Sequence, residues 1–137
     1  MIQEAYVSFE TAKLLKEKGF DEKCLHYYED NRHRDEGIKF SDWCNIEYSN
    51  SEIGRRFTCP TQQMAMRWLR EKHNIHISIT FGWVSGYNAQ VDWAEESEKG
   101  NDKLACCVWR TDLNTTYEAA VEAAIKYCLE NLIGYES

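Results

Sequence analysis

The most sharply patterned stretch of the chain runs from Pro60 to Trp83, CPTQQMAMRWLREKHNIHISITFGW with Cys59 as its lead-in. Proline suits the first turn of a helix, where its missing N–H would have no intrahelical partner anyway. Pro60 therefore predicts a helix start, with Thr58 or Cys59 at the N-cap and Thr58 the chemically better cap. Met64, Ala65, Trp68 and Leu69 make an apolar stripe at helical spacing. Arg67, Arg70 and Lys72 lie towards the C-terminal end, where the helix dipole favours cations. Asn74 is placed for a left-handed cap. The period then changes from about 3.6 to 2. Ile75, Ile77, Ile79 and Phe81 point one way and His76, Ser78 and Thr80 the other, which predicts a half-buried antiparallel strand.

The flanking segments supply partners for these two apolar faces. SFETAKLLKEKGF predicts a helix with Ser8 at the N-cap and Phe9, Ala12 and Leu15 inward. Gly19 and Phe20 are spaced for a Schellman-type end packing back on Leu15. Lys13, Lys16 and Lys18 read as a solvated face. Cys24–Tyr28 has strand composition, EDNRHRDEG reads as an exposed hairpin loop or mobile segment, and Phe40–Tyr48 reads as the returning strand. Residues 49–58 form a second loop. After a Ser85-Gly86 turn, Tyr87, Ala89, Val91 and Trp93 alternate with Asn88, Gln90 and Asp92 as another strand. Residues 95–102 make an acidic turn, and Leu104, Cys106 and Val108 alternate with Ala105, Cys107 and Trp109 in a last strand. Thr115 and Glu118 have capping-box spacing. Behind them Tyr117, Ala120, Val121, Ala124, Ile125, Cys128, Leu129 and Leu132 form one broad face, and Gly134 ends the helix.

The expected architecture is a single α+β domain over residues 1–137, in the order α-β-β-α-β-β-β-α. It has an antiparallel sheet of about five strands and three helices mainly on one face. Trp83, Trp93 and Trp109 could make the other face aromatic. Edge pairing of the 87–93 or 43–48 strand could make a homodimer.

Composition narrows the function classes. With 137 residues and 43% hydrophobic content the chain can bury a proper core. No apolar run approaches the roughly 20 residues of a membrane span. The N-terminus lacks the basic start and apolar core of a signal peptide, so a cytoplasmic protein is expected. The net charge is −7, which disfavours general binding to a nucleic-acid backbone. A local basic cluster survives at Arg55, Arg56, Arg67, Arg70 and Lys72. Six cysteines without a C-x-x-C pair read as small buried hydrophobes.

Candidate chemistry is sparse. His73 and His76 span a helix-to-strand junction, not the i,i+4 spacing of a zinc pair, and no metal or cofactor is expected. Cys59 is the best-placed thiol for a nucleophile, beside a predicted helix start and just after Arg55 and Arg56. No cysteine-hydrolase signature, nucleophile-elbow serine or phosphate-cradling glycine loop accompanies it. The sharpest binding hypothesis is an anion site at the helix entrance, formed by Arg55, Arg56, Thr58 and Thr61 around free N–H groups.

Three segments, SFETAKLLKEKGFD, PTQQMAMRWLREKHNIHISI and TYEAAVEAAIKYCLENLI, resemble a family of small hypothetical proteins encoded in gut-bacterial phages and prophages. The resemblance covers both ends and the middle of the chain, leaving residues 29–57 and 94–103 outside it. It implies a mobile-element protein acting inside a bacterial cell and supplies no catalytic residues. The expectation is a non-enzymatic accessory protein that binds a host or viral protein. The alternative is a binder or sequestrant of a small nucleotide-like anion in counter-defence, and an enzyme comes third.

Overall fold

A computed structural model of the protein describes residues 4–82, 86–93, 106–111 and 116–133, with the backbone alone at 106–108. The chain is α+β, and its described residues divide into two compact units, one within residues 4–63 and one within residues 64–133. The expected single five-stranded sheet is replaced by two three-stranded antiparallel sheets, one in each unit.

In the first unit α1, Phe9–Glu17, starts at Ser8, whose side chain accepts from the Thr11 N–H. It ends in a Schellman motif. Phe20 N donates to Leu15 O at 2.9 Å and Gly19 N to Lys16 O at 3.3 Å, with Gly19 at φ 92°. Leu15 and Phe20 are buried together with Val7 and Ala12. The lysine face is not uniformly solvated. Lys18 is buried, and Lys16 Nζ donates to the carbonyls of Gly54 and Arg56 while lying over the Phe57 ring. A local helical pattern cannot anticipate a carbonyl cluster about forty residues away.

The first sheet has the order β2-β1-β3, with β1 His26–Asn31, β2 Gly37–Asp42 and β3 Phe57–Thr58. The hairpin loop is shorter than expected, because Glu29, Asp30 and Asn31 continue the strand and pair with Lys39, Ile38 and Gly37. A 3-10 turn, Arg32–Arg34, closes the tip. Residues 43–48 are not a strand. Cys44 and Asn45 adopt φ 53° and 72°, which breaks extension after Asp42. Only Tyr48 returns to bridge Cys24. The segment read as a second loop supplies β3, preceded by a 3-10 turn, Asn50–Glu52, with a Ser49–Glu52 capping box.

The second unit contains most of α2, Gln62–His73, with β4 Ile75–Gly82, β5 Gly86–Trp93, β6 Cys106–Arg110 and α3 Tyr117–Asn131. Ala65, Trp68 and Leu69 are buried as the stripe requires, and Asn74 takes the left-handed conformation at φ 55°. Helix α2 begins two residues after Pro60, which belongs to the extended chain before it. β5 lies between β4 and β6. Residues 90–93 of β5 are paired on both sides and offer no open edge there, and residues 43–48 form no strand through which to pair. A register shift between Val91 and Asp92 marks an extra residue in β6.

Helix α3 packs on β5 and β4 and buries Ala120, Val121, Ala124, Ile125, Cys128 and Leu129. Its cap is Thr116, whose Oγ1 accepts from Ala119 N at 3.0 Å; Thr115 and Gly134 lie outside the described residues. Tyr117 meets Tyr87 edge-on and Tyr127 stacks on Trp109 at 4.8 Å. Trp109 is thus on the helix-covered side, and strand alternation puts Trp93 on the same side as Ala89 and Val91. The opposite face of this sheet carries His76, Ser78, Thr80, Asn88, Gln90 and Asp92, a polar surface instead of the expected aromatic one. Trp83, Ser85, Leu104, Ala105 and the 95–102 turn lie outside the described residues.

Candidate functional site

A concave site of the first unit lies at the hairpin tip. Its geometry begins with Asp30. One carboxylate oxygen accepts from the backbone N–H and Nε of Arg32, at 3.1 and 2.9 Å, and the other from Nη2 at 2.7 Å. These bonds, to the guanidinium first, hold the Asp30 carboxyl down at about 2. Asp35 then turns the chain in the left-handed region at φ 58°, its N–H donating to Arg32 O. The tip is in this way set by charge-assisted bonds within six residues.

The facing wall is the turn before β3. Ser51 N donates to Asp21 Oδ1 at 2.8 Å, and Glu52 closes the capping box by accepting from Ser49 N at 3.0 Å. Gly54 bends at φ 61° with open space around it. Lys16 ties down the carbonyls on either side of Arg55, with its Nζ 2.6 Å from Arg56 O. Partial burial holds the Lys16 pKa below its ordinary value. The Arg56 guanidinium lies 5.3 Å above the Tyr27 ring, with Nε 3.7 Å from Glu29 Oε1. Tyr27 stacks in turn on Trp43 at 4.3 Å.

Between these walls is an open cleft of about 330 Å³ lined by Glu29, Asp30, Asn31, His33, Arg34, Ile53, Arg55 and Arg56. Three arginines and two acidic residues are among its lining. Asp30 is committed to Arg32 and Glu29 to Arg56. Arg34 and Arg55 have no carboxylate partner among the described residues.

Of the four residues expected at an anion site, Arg55 and Arg56 are brought together and Thr58 and Thr61 are not brought to them. Thr58 is fully buried in β3, where its N–H donates to Asn50 Oδ1 at 2.9 Å. Among the described residues its Oγ1 has no well-formed hydrogen bond; the Cys24 thiol is its sulfur neighbour. Thr61 bridges Tyr6, and the first amide of α2, that of Gln62, donates to Ala5 O at 2.9 Å. The N-terminal arm has taken the end of the helix that an anion would need. Arg34, His33 and Glu29 went unread because the tip looked like a solvated loop. The arginine-histidine-arginine run inside an otherwise acidic segment was the available signal.

The other candidate groups are not among the residues that line this cleft. Cys59 is buried, with its thiol 3.4 Å from Val7 O, three residues before α2 begins. His26 stacks on Phe40, His73 meets Trp68 edge-on, and His76 Nε2 lies 3.2 Å from Asn74 Oδ1. Among the described residues no group of three or more His, Cys, Asp or Glu side chains could hold a metal ion. No described helix is long and apolar enough to cross a membrane. Comparison with protein-family models, with curated proteins and with solved structures finds no match.

Proposed function

We propose that the chain is a non-enzymatic phage or prophage accessory protein that binds a host or viral protein in the cytoplasm of a bacterial cell. The mobile-element context rests on the resemblance of three segments described above. The binding reading is supported by one observation, the outer edge of the first sheet. β2 ends that sheet. Trp43 N donates to Leu25 O, so in the antiparallel ladder positions 37, 39 and 41 turn their backbone groups towards β1. Ile38, Phe40 and Asp42 turn theirs outward. Two of these residues present exposed apolar side chains, Ile38 at 41% and Phe40 at 47%, and Asp42 a carboxylate. Phe40 is braced by His26 at 5.1 Å and by Tyr6 and Tyr28, each at 5.4 Å. An open edge beside a rigid aromatic anchor is the arrangement by which a sheet accepts an extended segment of a partner.

The test is affinity capture from host lysate by the intact protein and by the Phe40→Lys variant, with mass spectrometry. The expected result is one partner retained by the parent and reduced by about tenfold or more by Phe40→Lys, as loss of an interface anchor predicts. Sedimentation at several concentrations identifies the case in which that partner is a second copy. Equal recovery by both proteins defeats the edge as the binding surface.

A further inference from the structure

We propose that the hairpin-tip cleft binds a small hydroxylated phosphate monoester, the class that contains sugar phosphates and nucleoside monophosphates. This does not rest on the partner reading, since the cleft lies at the β1–β3 side of the tip and not on the open edge of β2. The protein as a whole carries −7, so a site where Arg34, Arg55 and Arg56 converge runs against the average charge. The nearby carboxylates are already engaged by Arg32 and Arg56. Arg34 and Arg55 therefore present positive charge without a carboxylate counterpart among the described residues. Guanidiniums facing one cleft repel each other, and an oxyanion between them removes that repulsion. Their planar fork geometry matches phosphate oxygens in pairs.

The rest of the lining limits what the anion can be. Glu29 and Asn31 offer acceptors and an amide donor at the scale of hydroxyl groups, and Ile53 supplies a short apolar wall. A ligand with one phosphate and neighbouring hydroxyls uses both kinds of group. A polynucleotide would bring further phosphates against Glu29 and Asp30, at a like-charge cost. The cleft volume of about 330 Å³ falls at the small end of ligand sites, about 300–1,000 Å³. Its walls are held before any ligand arrives, by the Lys16 bonds on one side and the Asp30–Arg32 pair on the other, which reduces the ordering cost of binding.

The test is an amide NMR titration of the intact protein with ribose 5-phosphate, adenosine 5′-monophosphate, inorganic phosphate, ribose and a thymidine oligonucleotide. Saturable shifts centred on Asn31, His33, Arg34 and Arg55 are expected from the two esters at millimolar concentration, with weaker binding of inorganic phosphate and none of ribose. Combining Arg34→Glu with Arg55→Glu should weaken the esters by about tenfold or more, as loss of charge-assisted bonds predicts. Arg67→Glu on α2 should leave them unchanged. Amide dispersion equal to that of the parent checks that the double variant is folded, and Arg55→Gln serves as a milder second variant. No saturable shift from either ester, or equal affinity in all variants, overturns the site. Inorganic phosphate or the oligonucleotide binding as tightly as the esters overturns the ligand class.

Discussion

Asp30 shows how a single half-buried carboxylate can set local geometry. Its pKa is held at about 2 by the Arg32 side chain and backbone, below the ordinary aspartate value of about 4. A depressed folded pKa contributes stability that is present above the unfolded value and is lost as pH falls through the folded one. The Asp30 contribution to the hairpin tip should therefore be fully present above about pH 4 and be lost as pH falls from there through about 2. A carboxyl-carbon NMR titration should place Asp30 near 2, and Arg32→Ala should move it up towards about 4. An unchanged midpoint in that variant would refute the assignment of cause. The cysteines divide in the same residue-by-residue way. Burial raises the Cys24 and Cys128 thiols to about 12, and Cys59 is buried beside them in kind. Cys44 is exposed. Brief alkylation at neutral pH with peptide mapping should label Cys44 well ahead of Cys24, Cys59 and Cys128, and denaturant should remove the difference. Simultaneous labelling of all four would contradict this burial.

Elements differ in how much of their structure is local. α1 is legible in its cap, apolar row and Gly19-Phe20 terminus, which all lie within thirteen residues, but not in its lysine face, where Lys16 meets distant carbonyls. α3 was readable in its apolar face and off by one residue at its cap, since Thr115 and Thr116 are chemically equivalent candidates and only the backbone chooses between them. Ile125 is fully buried in the face that meets β4 and β5. Ile125→Ala should lower unfolding stability by about 3 kcal/mol, through lost transfer free energy and a residual cavity. Urea denaturation measures this, and a loss below about 1 kcal/mol would mean that the helix face is not packed as described. The strands were less legible. Residues 43–48 have strand composition, yet the ladder ends at the Trp43 N bond to Leu25 O, because Cys44 and Asn45 turn left-handed. β3, two residues long, carries no pattern that a sequence window could detect.

At the scale of the whole molecule, strand pairing separates the expected layer from the observed one. Among the described residues six strands form two sheets of three, each with its own helix partner: α1 against β3 in the first unit and α3 against β4 and β5 in the second. Alternation along a strand says which residues share a face. It does not say which other strand lies beside it, because the ladder bonds are made by backbone groups common to every residue. The same gap explains the misplaced aromatic surface. Trp93 and Trp109 belong to the helix-covered face instead of the open one, and the exposed large hydrophobics are spread over both units, Phe40 and Ile46 in the first and Phe81 in the second. Net charge was equally blind to position: an acidic chain still gathers Arg34, Arg55 and Arg56 at one cleft.

The sequence by itself determined the α+β class, the three helices with their apolar faces, the Schellman end at Gly19-Phe20, the left-handed turn at Asn74 and the Ile75–Ile77–Ile79 face. Each depends on interactions within a few residues, or on a period that side-chain chemistry imposes directly. Only the tertiary structure decided that the entrance to α2 is closed by Ala5, that Thr58 is buried away from Arg55, and that Arg34 shares a cleft with Arg55 and Arg56. Those outcomes depend on which distant backbone carbonyl or strand arrives, and backbone groups carry no residue-specific mark to announce it.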